Sequence, residues 1–238
     1  MDNYKRKFFI HSSKAILALG IGLGLPSTLR SAGPKSWLKL ANRLNADGKL
    51  EVKKLIGKAQ INANYLENAL AYTGNNAFYV YPNSQVILSL PDKSLIWAAD
   101  DTRFDLYCTN DYGSAISIYK GRIQLISNDQ YHRFYPKLIH SKNSDYGLRS
   151  GALFTQISTS EQIPYSKEYT CLCHGQADIV RADLARTLQS FSAKHHNSFF
   201  LRQRGDYAVA PLGFHSDALI QEILSQAGSD IQASWLLS

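Results

Sequence analysis

The chain has 238 residues, 45% of them hydrophobic and 19% charged. That is enough apolar material for a true core in one principal domain, and it excludes a disordered chain. Much of the formal +7 charge sits at the N-terminus, where residues 1–32 carry Lys5, Arg6, Lys7, Lys14 and Arg30 against Asp2 alone, so the remainder holds a net +3. The body has no Lys/Arg stripe and no nucleic-acid motif, so nucleic acid is not an expected partner.

Lys5-Arg6-Lys7 reads as the positive region of an export signal, and Ala15 to Leu25 is an uncharged apolar run of 11 residues. A spanning helix needs about 20 such residues, whereas this length suits a signal peptide. Lys5-Arg6-Lys7-Phe8-Phe9 is similar to a twin-arginine signal with Lys in place of the first arginine. Cleavage after Ala32 places Arg30 where a small residue is preferred, so an uncleaved anchor and an ordinary secretory signal stay open. The expected location is the periplasm, with membrane attachment if the signal remains.

Trp37, Leu40, Ala41 and Leu44 have helical spacing between Ser36 and Gly48, a short helical lead-in. From Leu50 the pattern changes to short apolar runs between turn residues. Phe78 to Tyr81 is a strand ended by Pro82-Asn83. Val86 to Leu90 and Leu95 to Trp97 flank Pro91-Asp92-Lys93-Ser94 as a hairpin. Phe104 to Tyr107 and Ala115 to Tyr119 are further strands, and Gly121 starts a turn into Arg122 to Ile126. Turns at this spacing, about every 8–12 residues, fit a sandwich, barrel or solenoid. Near the end, Ala182 to Phe191 reads as a short helix. A second helix is capped by Ser216 or Asp217 and stopped by Gly228.

The order of these marks resembles a FecR domain over residues 52–180. The marks are Gly57, the Thr73-Gly74 turn, and the hairpin from Asn83 to Ile96. Gly147-Leu148-Arg149-Ser150-Gly151 then precedes a strand, and the final strand, Cys171 to Ile179, holds Gly175. Lys93 stands where the family has a hairpin glycine, and Ser150 interrupts its arg-gly pair. Cys171-x-Cys173-x-Gly175, His195-His196 and His215-Ser216-Asp217 resemble a subgroup with twin-arginine-like signals.

The resemblance implies a mainly β fold, a β-sandwich or short β-solenoid with a small helical C-terminal appendage. The expected organisation is a signal over 1–32, a lead-in over 33–49, the β domain over 50–180 and a C-terminal extension with short helices over 181–238. It implies a non-catalytic binding or sensory module facing a periplasmic protein or small ligand. The family's best-known members link a siderophore transporter to a cytoplasmic sigma factor through a long cytoplasmic segment. Only 14 residues precede the apolar run here, so that half of the activity is not expected.

The candidate chemistry lies in the tail. Cys171 and Cys173 are two apart, so a strand turns both to one side. With His195, His196 and His215 they form a candidate site for zinc, copper or iron. Zinc signatures usually leave two to four residues between cysteines, where this chain has one. The same residues also read as small buried hydrophobes and surface histidines. His174 points to the opposite strand face, and His132 and His140 read as structural or solvent-facing residues of an aromatic-rich loop.

A cysteine hydrolase is the remaining alternative, with Asp183 or Asp217 orienting a histidine. No nucleophile signature surrounds either cysteine. Asp100 and Asp101 are adjacent and face opposite ways, so they are no acid/base dyad, and Arg202 to Asp206 reads as a solvated turn.

Overall fold

The computed structural model describes residues 48–73, 75–109, 113–128, 137–141, 144–158, 168–181, 188–201, 207–213, 215–228 and 231. The signal segment, the helix expected over Ser36 to Leu44, His132, Asp183 and the Arg202 to Asp206 turn lie outside them. The elements are β1 (Lys49–Ile56), β2 (Ala59–Ile61), β3 (Asn64–Tyr65), β4 (Ala71–Thr73), β5 (Asn76–Val80), β6 (Gln85–Ser89) and β7 (Leu95–Thr109). They continue as β8 (Gly113–Ile126), β9 (Lys137–His140), β10 (Ser144–Ile157), β11 (Glu168–Arg181), β12 (Leu188–Ala193), β13 (Asn197–Leu201), β14 (Tyr207–Val209) and α1 (Asp217–Ala227).

The strands join in one 14-stranded sheet, and its pairings are antiparallel except for β8 with β9. The fold is β-rich, as composition and turn spacing anticipate. Antiparallel ladders suit a layered sheet rather than the parallel coils of a solenoid. Among the described residues no helix is long and apolar enough to cross a membrane.

The β6–β7 hairpin forms as read, with Ser89 opposite Leu95. The Leu90 amide donates to the Ser94 carbonyl, and the Asp92 carboxylate accepts from the Ser94 amide. Lys93 adopts φ 67°, which explains why a glycine suits that turn position. Asp92 also pairs with Lys137, which is buried and ties β9 to this turn.

Several expectations are corrected. Gly121 starts no turn; it lies inside β8 at φ 90°, facing Thr102 and opposite a bulge of β7 over Asp100 to Thr102. The separate strands read around it merge into two long ones, because a bulge bends a strand without ending it. His140 lies on β9, not in a loop. The segment read as a helix through Phe191 ends in strand β12, which pairs with β11. Leu184, Leu188 and Phe191 have helical spacing, but the open edge of β11 takes Leu188 to Ala193 into the sheet. The second helix is present as α1, and Gly228 closes it at φ 56° with its amide on the last-turn carbonyls.

Side chains of one sheet face form the larger core, from Leu50 and Val52 through Phe104, Ile116 and Leu153 to Leu201. The opposite face carries a second cluster: Ile87, Leu95, Trp97, Ile126, Phe154, Tyr169, Cys171 and Cys173. Ala210 and the inner side of α1, Ile220, Ile223 and Ala227, complete it. The cysteines therefore lie beneath the C-terminal segment.

Candidate metal centre

The site is built where β11 bends. Its first half pairs with β13 and its second half with β12. Gly151 on β10 and Gly175 on β11 are cross-strand partners with φ of 88° and 96°. A Cβ on Gly175 would lie 2.1 Å from the Ser150 carbonyl oxygen, so only glycine permits this approach. Just before the bend the β10–β11 ladder steps from Ala152–His174 to Leu153–Leu172 and leaves Cys173 as the extra residue of a bulge. Such bulges re-aim side chains.

Buried bonds fix the strand ahead of the cysteines. Glu168 accepts from the Ser141 hydroxyl (2.7 Å) and from the Tyr146 hydroxyl, and Thr170 donates to that same Tyr146 oxygen at 2.9 Å.

Four donor atoms meet here: the sulfurs of Cys171 and Cys173, and ring nitrogens of His196 and His215, all within 4.8 Å of one another. Cys171 Sγ lies 3.4 Å from His196 Nδ1, and Cys173 Sγ lies 3.2 Å from His215 Nε2. Zinc–sulfur and zinc–nitrogen bonds of about 2.3 and 2.0–2.1 Å in a tetrahedron require sulfur–nitrogen edges of about 3.5 Å.

The far side of each ring determines its tautomer. His196 Nε2 donates to Asp217 Oδ1 at 2.9 Å, and His215 Nδ1 donates to the Gly213 carbonyl at 3.1 Å. A neutral ring with that nitrogen protonated turns a lone pair from the other one towards the sulfurs. Carboxylates and backbone carbonyls hold the rings of metal-bound histidines in this way.

Charge is arranged to match. Hydrogen bonding from Cys173 pulls the Cys171 thiol down to about 5 against its burial. Burial, and then the neighbouring Cys171, push Cys173 well up. Of the pair, Cys171 is thus the more acidic thiol and Cys173 the one that holds its proton longer. The Gln124 side chain lies 3.9 Å from the Cys173 sulfur. Phe154 stacks flat on the His215 ring, with centroids 4.4 Å apart. Burial raises the Tyr169 hydroxyl to about 12, and its oxygen accepts from the Gly213 amide.

Of the five residues read from sequence, Cys171, Cys173, His196 and His215 converge. His195 does not join them: 69% of its side chain is exposed, and its Nε2 donates to Asp217 Oδ2 at 2.8 Å. His196 takes φ 39°, and its amide donates to the Cys173 carbonyl. That twist turns His196 inward and its neighbour outward. Asp217 serves both histidines, and although burial opposes it, their hydrogen bonds hold its carboxyl below the usual range.

His174 stays out of the cluster, and its Nδ1 donates to the Lys194 carbonyl at 2.9 Å. None of the three cysteines forms a disulfide, and the Cys108 thiol donates to the Gly48 carbonyl. Sequence alone gave no signal for Gln124, Phe154, Tyr169 or Gly213, which are brought in by pairing and burial.

No family model matches the chain, and no curated protein sequence matches it. Two crystal structures of an anti-sigma factor candidate from Parabacteroides distasonis are similar in backbone course. The first, at 1.65 Å resolution, has a TM-score of 0.43 and 7% identity over 56% of this chain and 58% of that one. The second, at 2.50 Å, has a TM-score of 0.44 and 8% identity over 57% and 59%. The chain thus spans less than two thirds of the length of either structure.

Proposed function

We propose that this chain is an exported, non-catalytic β module that binds one transition-metal ion, zinc by first assignment, through Cys171, Cys173, His196 and His215. The observation that carries this is the convergence of four soft or imidazole donors whose rings are held by Asp217 and Gly213. Two thiolates and two imidazoles complete a tetrahedron, and such a closed set characterises structural rather than hydrolytic zinc. Copper and iron accept the same donors and are distinguished by analysis. Export rests on Lys5-Arg6-Lys7 and the apolar run that follows. The sensory role, with a periplasmic protein or small ligand as partner, rests on the FecR-like order of motifs.

Metal analysis of the purified, zinc-equilibrated protein should find one equivalent per chain, lost in the Cys171→Ser/Cys173→Ser double variant. A wild-type chain that holds no metal would sink the proposal. Retention in the cytoplasm on cell fractionation would remove the export half.

A second reading draws on one observation, the chain from Cys171 through His196 to Asp217, which has the order of a cysteine hydrolase triad. Cys171 is fully buried and shares its position with Cys173 and His215, which leaves no room for a substrate carbonyl. A thiol-directed activity probe labelling Cys171 in the metal-free protein would revive this reading.

A further inference from the structure

The four donors come from two bodies. Cys171 and Cys173 lie on β11, and His196 lies on the turn that joins β12 to β13. His215 and the supporting Asp217 belong to an arm, residues 207–228, that returns across the outer face of the sheet. The larger core contains no described residue beyond Leu201, and the arm touches its end only at the root, where Tyr207 packs edge-on against Phe191 and Phe199. Beyond that root the arm enters the second cluster, through Ala210, Ile220, Ile223 and Ala227.

The arm's other attachments are few. β14 has three residues and is the last strand of the sheet path, with Val209 facing solvent. The Ala210 amide donates to the Ser198 carbonyl, the Ser198 hydroxyl donates to the Ala210 carbonyl, and the Gly213 amide donates to the Tyr169 hydroxyl. The α1 helix has 11 residues and no side-chain bond at its N-cap. Helices shorter than about 12–15 residues are marginal in water without tertiary support.

Two further ties meet at the metal centre: His215 as a ligand, and the Asp217 carboxylate, which orients the ligand His196 and also accepts from His195.

Resting on the metal-centre reading, we infer that the ion is a clamp on the C-terminal arm. Loading fixes α1 over the outer face of the sheet. Release of the ion frees α1 from that face while the sheet stays folded on its own core. The face uncovered holds Ile87, Leu95, Trp97, Ile126 and Phe154, a contiguous apolar surface. Metal occupancy is thereby converted into a change of exposed surface.

The test is hydrogen exchange on the full chain, zinc-loaded and after removal of zinc with a chelator. Amides of residues 221–227 should exchange about tenfold or more faster without the ion, while those of β7, β8 and β10 keep their protection. Unchanged α1 exchange in a chain shown to gain and lose one zinc overturns the clamp and leaves the metal centre standing. Loss of protection throughout also overturns it, because the ion then supports the whole domain. A chain that takes up no zinc ends both readings.

Because coupling is reciprocal, Ile223→Ala, a substitution on the docked face of α1, should weaken zinc binding by about fivefold or more. Unchanged affinity in that variant contradicts the clamp.

Discussion

Gly175→Ala is the most direct probe of how the β10–β11 bend sets the site. Gly175 sits at φ 96°, and an added Cβ would meet the Ser150 carbonyl oxygen at 2.1 Å, the Ser150 carbonyl carbon at 2.6 Å and Gly151 Cα at 3.0 Å. All three are backbone atoms of the paired strand, so no side chain can rotate away. The disallowed dihedral costs about 1–3 kcal/mol. Forcing the strands apart adds about 1–3 kcal/mol more. A destabilisation of about 4 kcal/mol is expected, a large part of the 5–15 kcal/mol typical of a domain. In a chain of this size it lowers the melting temperature by about 8–16 °C.

Two glycines separate the causes. Gly228→Ala meets nothing within 4 Å but sits at φ 56°, so it carries strain alone, about 1 kcal/mol. Gly213→Ala has its nearest neighbour at 3.9 Å and should stay within about 0.5 kcal/mol of the parent. Urea unfolding at fixed zinc, read as midpoint shifts at constant slope, gives the three values. If Gly175→Ala falls with Gly213→Ala, the bend does not require glycine and the account of the site's geometry is wrong.

Further outcomes follow from the same contacts. Phe104→Ala removes a buried ring stacked on Phe78 at 4.8 Å and should cost about 3–5 kcal/mol in denaturant unfolding. Burial raises the Asp105 carboxyl, so the charged form weakens the fold at neutral pH and that loss is relieved as pH falls below the raised value. Asp105→Asn keeps an acceptor for the Tyr119 hydroxyl and should stabilise the fold by about 0.5 kcal/mol or less, with a small rise in melting temperature. A lower melting temperature would show that the charge is favourable.

Asp217→Ala should weaken zinc binding about 10–100-fold in chelator competition, with His195→Ala changing it by less than about threefold. With Cys171 shifted down and Cys173 shifted up, zinc uptake at pH 7 should release close to one proton per ion. Calorimetry in buffers of different ionisation enthalpy measures it, and two protons would show that both thiols start protonated.

Much of the outline is legible in the chain because local signals determine it. Pro91 to Ser94 between two β-branched runs fixes the hairpin, and Asp217 to Gly228 has a helix's spacing and stop. The parity of Cys171 and Cys173 is a local property, and the structure keeps both on one face. What stays hidden is non-local. Gly121 reads as the start of a turn, yet it lies inside β8, and its need for glycine, like that of Gly151 and Gly175, comes from a facing strand. Leu184 to Phe191 has helical spacing, but the pairing demand of β11 draws its second half into β12. The sequence also cannot separate His195 from its neighbour. The positive φ of His196, set by its bond to Cys173, decides which ring faces the sulfurs.

The central claim is that one ion is held by two sulfurs and two imidazole nitrogens. X-ray absorption at the zinc edge of the loaded, full-length protein tests it most directly. The account predicts two sulfur scatterers at about 2.3 Å and two nitrogen scatterers at about 2.0 Å, with the outer-ring scattering of imidazole. A shell of oxygen and nitrogen alone, with no sulfur, would place the ion elsewhere and contradict it.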